Sequence, residues 1–95
     1  MRIEWKKQAR EDAHDILIHI AQDKPGAAWE VYEAIQRQVG LLAEMPKRGR
    51  PGRVRGTREL VITRTPYIVA YRVTPTVITV LRVLHGAQQW PKRFS

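Results

Sequence analysis

Along residues 2–5 apolar and polar side chains alternate, with Ile3 and Trp5 on one side and Arg2 and Glu4 on the other. A period of two marks a short, half-buried strand. From about Lys7 the period lengthens: Ala9, Ala13, Ile16, Leu17 and Ile20 recur as the apolar stripe of an α-helix. Asp23-Lys24-Pro25-Gly26 ends this helix, because proline disfavours a helical residue before it and suits the first turn of the next helix. A second helix is expected from about Gly26 to Glu44, with Ala28, Val31, Tyr32, Ile35, Val39 and Leu42 on one face and Trp29 beside them. So short a connection makes the two helices an antiparallel hairpin. Met45-Pro46 closes the second helix.

Residues 46–57, rich in Gly, Pro and Arg, read as a loop. Three β-like runs follow, at 58–64, 67–73 and 77–85, separated by turns at Thr65-Pro66 and Thr74-Pro75-Thr76. Tight turns make them an antiparallel meander. Residues 86–95 are a short tail in which Trp90 and Phe94 are candidate anchors. The expected order is β-α-α-β-β-β, a single α+β domain over residues 1–95. Its sheet is twisted and mainly antiparallel, with the helical hairpin packed on one face. Ile3, Trp5, Ile16, Ile20, Ile35, Val39, Leu60, Val69, Tyr71, Val73, Leu81 and Val83 are the expected core.

Composition narrows the function classes. Ninety-five residues suffice for one sheet with helices against it and not for a second domain. There is no cysteine, hence no disulfide framework, thiolate metal site or cysteine nucleophile. No apolar run approaches the roughly 18 residues of a membrane span, and the first residues lack a signal-peptide core, so a cytoplasmic protein without a membrane role is expected. The net charge of +8 is unevenly placed. Residues 1–45 hold six Lys/Arg and eight Asp/Glu, whereas residues 46–95 hold eleven Lys/Arg against the single acid Glu59. A half-domain so basic points to an anionic partner: RNA, DNA, a ribosome or an acidic protein segment.

Lys47, Arg48, Arg50, Arg53, Arg55 and Arg58 fall within one acid-free stretch. Guanidinium forks grip phosphate or carboxylate bidentately, and glycines let backbone approach closely. The same stretch also reads as a solvated loop. Arg72 and Arg82 interrupt apolar strands, and His85 ends the last one. A strand-end histidine is a candidate general acid or base, and a positioned arginine can stabilise a phosphorane-like anion. The alternative has Arg82 facing solvent and His85 hydrogen-bonding the following turn. His14 and His19 are not at metal-ligand spacing, and neither a Walker loop nor GxGxxG is present, so no metal or cofactor is expected.

Four segments in order resemble the RelE/ParE superfamily of toxins and plasmid-stabilisation proteins, and more closely its ParE-like branch. They are Gly49-Arg50-Pro51-Gly52, Gly56-Thr57-Arg58-Glu59-Leu60, Pro66-Tyr67-Ile68-Val69-Ala70-Tyr71-Arg72-Val73 and Leu81-Arg82-Val83-Leu84-His85-Gly86-Ala87. The resemblance implies a cognate antitoxin whose C-terminal segment wraps the toxin. It also implies one of two targets: mRNA in the ribosomal A site, cleaved without metal, or DNA gyrase, which ParE-like members poison. Aligned on Tyr67 and Tyr71, Glu59 and Val61 stand where RelE-like ribonucleases resemble one another in two lysines, and Ile68 where they carry an arginine. That site is absent here. Glu59, Arg82 and His85 loosely imitate the glutamate–arginine–histidine set of other RNA-cleaving relatives.

The expected function is therefore growth inhibition through gyrase, neutralised by an antitoxin. A ribosome-dependent mRNA endoribonuclease is the alternative, and a non-toxic nucleic-acid-binding accessory protein the third reading. Arg50, Arg53, Arg58, Arg64 and Arg82 are the expected target contacts, and Trp29 and Tyr32 the expected antitoxin anchors.

Overall fold

A computed structural model describes residues 1–94. Strand β1 (Arg2–Trp5) leads into helices α1 (Lys7–Ala21) and α2 (Pro25–Gly40), and a 3₁₀ turn over Leu41–Ala43 follows. Four further strands complete the fold: β2 (Arg50–Pro51), β3 (Arg58–Val61), β4 (Tyr67–Val73) and β5 (Val77–His85). Among the described residues they form one five-stranded sheet in the order β1-β5-β4-β3-β2. Only the β1–β5 pairing is parallel; the rest are antiparallel, as the expected α+β architecture requires. No helix among the described residues is long and apolar enough to cross a membrane.

The helical hairpin covers one face of the sheet. Ala9, Ile35, Val39 and Leu42 meet Leu60, Ile62, Tyr67, Val69, Tyr71, Ile78, Val80 and Val83 in a continuous core. Each fully buried aliphatic chain there stabilises the fold by roughly 1.5–3 kcal/mol. Of the expected core, Ile35, Val39, Leu60, Val69, Tyr71, Leu81 and Val83 are buried. Ile3, Trp5, Ile16, Ile20 and Val73 lie half-buried against them.

Leu81 belongs to the other face. Ala70 pairs with Arg82 while the next residue, Tyr71, pairs with Val80, so Leu81 is the extra residue of a β-bulge. Its insertion reverses the alternation of β5. Ile78 and Val80 face the helices before it, and Val83 and His85 after it, opposite Val69 and Tyr67. Leu81 and Leu84 are left on the far face with Ile68 and Ala70, all buried. The tail covers them: Pro91 and Phe94 share a cleft with Leu81 and Arg82. Gly86 lies so close to Ile68 that a Cβ would sit 3.2 Å from its Cδ1.

Three boundaries differ from the sequence reading. The first meander strand ends at Val61 rather than residue 64, because the Thr65 N–H donates to the Ile62 carbonyl at 3.1 Å and closes a turn. The second helix tightens into 3₁₀ geometry after Gly40, where Glu44 and Met45 both donate to the Leu41 carbonyl. The expected loop 46–57 contains β2, two residues long and therefore without a readable period. That strand is held by Gly49, whose N–H donates to the Tyr71 hydroxyl at 2.8 Å. A Cβ on Gly49 would stand 2.8 Å from the Glu59 carbonyl oxygen.

Candidate functional site

The far face of the sheet carries the candidate chemistry, and register decides which residues share it. Arg50 pairs with Glu59, Glu59 with Ala70, and Ala70 with Arg82, so these four form one row across β2, β3, β4 and β5. At about 4.8 Å per strand, the Glu59 and Arg82 backbones stand on the order of 10 Å apart.

Glu59 is 3% exposed and the centre of a dense network. Its Oε1 accepts from Arg50 Nε at 3.3 Å and Nη2 at 3.0 Å. Its Oε2 accepts from the Arg53 backbone N–H at 2.7 Å and from Arg53 Nε at 3.2 Å. Burial pushes the carboxyl pKa up, but the Arg53 backbone hydrogen bond and the two guanidiniums outweigh it and hold the pKa below its ordinary value of 4.5. Glu59 is thus an ionised clamp. It holds two half-exposed arginines at one carboxylate and leaves further N–H groups on each, a chemistry suited to a phosphate or carboxylate. The Arg53 guanidinium also stacks over Trp90, 3.8 Å from the ring centroid. The Trp90 indole N–H in turn donates to the His85 carbonyl at 3.3 Å, tying the tail to this network.

Arg82 turns away from the row, round the edge of β5 that β1 leaves uncovered. There Asp12 of α1 accepts its Nε and Nη2, and also the Val83 backbone N–H at 2.9 Å. The carboxylate of a helix residue thereby satisfies a sheet edge that lacks a neighbouring strand. Asp12 was not singled out from the sequence. An acid at the spacing of the apolar stripe, three residues after Ala9 and four before Ile16, was the signal available.

His85 lies on the helix side. Its ring meets Tyr67 edge-to-face with centroids 5.6 Å apart, and its Nδ1 accepts the Ala87 backbone N–H at 3.0 Å. Glu59 is therefore not assembled with Arg82 and His85, although those two line one cleft with Asp12, Asp15 and Gln88. Of the arginines expected to contact a target, Arg50 and Arg53 come together. Arg58 lies opposite Tyr71 on the helix side and donates to the Gly49 carbonyl at 2.6 Å. Arg64 stands at the β3–β4 turn, at the opposite end of β3 from Arg58. Among the described residues no group of three or more His, Asp or Glu could hold a metal. On the outer surface of the hairpin, Trp29 is 56% exposed and packs edge-to-face on the half-buried Tyr32 at 6.0 Å.

This sheet and hairpin match known proteins. The family model described as the ParE toxin of the type II toxin–antitoxin system parDE matches residues 3–90. The chain belongs to the ParE toxin family. Within the wider RelE/ParE superfamily, this ParE-type toxin is 44% identical over 91 residues to Y4kP of Sinorhizobium fredii, a protein named as a candidate toxin. That alignment covers 96% of this chain and 94% of Y4kP. Among solved structures, the chromosomal ParDE system of P. aeruginosa superposes with a TM-score of 0.83 at 30% identity, covering 90% of this chain and 95% of that one. The toxin–antitoxin complex RelBE2 of Mycobacterium tuberculosis gives a TM-score of 0.59 at 27% identity, over 88% and 95% of the two chains. The ParE-type fold thus extends across nearly the whole chain.

Proposed function

We propose that this ParE-family toxin arrests growth by acting on DNA gyrase and is neutralised by a cognate antitoxin. The observation that carries the choice of target is the dispersal of the nuclease-like residues. Glu59 is saturated by two arginines on the far face, whereas Arg82 and His85 line a separate cleft in which Asp12 already holds the Arg82 guanidinium. A glutamate, a histidine and a free transition-state cation must reach the same scissile group; here Glu59 is remote from the other two and the Arg82 guanidinium is occupied by a carboxylate. A clamped, half-exposed arginine pair suits binding to an anionic surface. The likeness to ParDE and RelBE2, both toxin–antitoxin systems, supports an antitoxin partner. Exposed Trp29, packed on the half-buried Tyr32, supplies an aromatic anchor for it.

Two purified reactions test the target. Inhibition of gyrase supercoiling with no cut in A-site mRNA is expected. Codon-dependent cleavage on the ribosome would replace gyrase by mRNA, and would leave the family and the antitoxin intact.

A further inference from the structure

We infer that Arg64 is a direct contact for a carboxylate on the protein this toxin inhibits, an inference that rests on the protein-target reading above. Its backbone comes first. The Thr65 N–H donates to the Ile62 carbonyl at 3.1 Å, closing a four-residue turn in which Arg64 is third. Arg64 has φ +67°, and it is the one non-glycine residue with positive φ among those described. Positive φ at the third position alone defines a type II turn, where glycine or asparagine is usual because a Cβ is disfavoured.

The turn is also pinned. The Thr65 hydroxyl donates to the Ile62 carbonyl at 3.0 Å and accepts the Tyr67 N–H at 3.1 Å. Gln38 of α2 accepts the Thr63 N–H at 3.0 Å. A strained residue on a rigid base is a reason to look for function in the side chain it presents.

The side chain supplies the second observation. Arg50, Arg53, Arg58 and Arg82 all hydrogen-bond within the chain. The exposed Arg64 side chain has no hydrogen bond, ion pair or ring contact among the described residues. Its surroundings select the partner. Val61 is 46% exposed on the preceding strand, Pro66 is exposed in the turn, and neither Thr63 nor Thr65 is charged. A lone guanidinium beside apolar side chains fits a protein carboxylate with an apolar rim. A nucleic-acid backbone would be held by several cations spaced along its phosphates.

The test compares Arg64→Gly, Arg64→Asn and Arg64→Lys with the parent chain. Glycine and asparagine relieve the turn, so Tm should rise by about 2–6 °C, while lysine should leave it unchanged. Function should move the other way. Arg64→Gly and Arg64→Asn should need at least roughly tenfold more protein to inhibit gyrase supercoiling, and should weaken growth arrest on induction, with lysine losing less. Variants that are more stable and equally inhibitory would overturn the contact. An unraised Tm for both glycine and asparagine would overturn the strain on which it stands. A matching fall in affinity for a short mixed-sequence DNA duplex would overturn the carboxylate in favour of nucleic acid. Should the parent chain leave gyrase untouched, the gyrase reading fails by itself. Growth arrest then still decides Arg64: weakened arrest supports the contact and undiminished arrest overturns it.

Discussion

The Arg82 guanidinium grips Asp12 across 70 residues of chain, Nε to Oδ2 at 2.7 Å and Nη2 to Oδ1 at 3.1 Å, with Asp12 only 10% exposed. The same carboxylate accepts the Val83 N–H, so it joins the first helix to the last strand. Asp12→Ala would leave a mostly buried guanidinium and a strand N–H without partners. It should lower unfolding free energy by about 2–4 kcal/mol in urea titration, and Arg82→Ala by a comparable amount. Any loss of toxicity in either variant should then follow the loss of folded protein, measured by circular dichroism on the same preparations.

Acid sensitivity should trace to Glu59. Its carboxyl pKa is lowered in the folded chain, so its contribution to stability is complete above the unfolded value near 4.5 and is lost as pH falls through the folded one. Glu59→Gln removes the charge and keeps the shape. The variant should be less stable at neutral pH by about 1–2 kcal/mol, the half-exposed arginines holding the cost down through screening. Below about pH 4.5 its stability should fall less steeply than that of the parent chain. Thermal melts from pH 7 down to about pH 3 would show whether the two curves converge.

The elements and the core were largely legible because their signals are local and periodic: two for the strands, 3.6 for the helices. What was not legible depends on one residue acting across the chain. The two-residue strand β2 has no period of its own and exists because Gly49 lets Tyr71 approach. Asp12 reads as a polar flaw in a helical stripe until β5 is placed beside it. The candidate arginines could be counted from the sequence but not sorted, since their partners are set by register. Arg50 and Arg53 meet at Glu59, while Arg58 and Arg82 are drawn elsewhere. Trp90 was legible as an anchor; the cation it stacks on was not.

Tyr71 should be the most costly hydroxyl to remove. It accepts the Gly49 N–H and donates to the Pro46 carbonyl, both at 2.8 Å, from a ring with no exposed surface. Tyr71→Phe strands both groups and should cost about 1–3 kcal/mol in chemical denaturation. Burial also raises the Tyr71 pKa above 10, against the opposing effects of Gly49 and Arg58. Its contribution is therefore complete below pH 10 and declines above it, and the phenylalanine variant should lack that alkaline decline.

Trp29 and Tyr32 offer a cleaner separation of binding from folding. Trp29 is more than half exposed, so Trp29→Ala should change stability by less than about 1 kcal/mol. The double alanine variant should bind the antitoxin encoded beside it at least ~2 kcal/mol more weakly in calorimetry. Equal affinity in a folded double variant would move the antitoxin off this part of the hairpin.

The bulge at Leu81 acts as a phase shift in the strand. Were it flattened with all its residues kept, uninterrupted alternation would turn Arg82 and Leu84 toward the helices, and Val83 and His85 away from them. Deleting Leu81 would instead leave Arg82 on the far face and Val83 in the core, and should cost little more than the burial of the leucine itself. The same phase governs comparison with relatives. An aligned arginine in a toxin whose strand has the same number of residues but no bulge would point to the opposite side of its sheet, so a role could be transferred by letter and still be wrong in space.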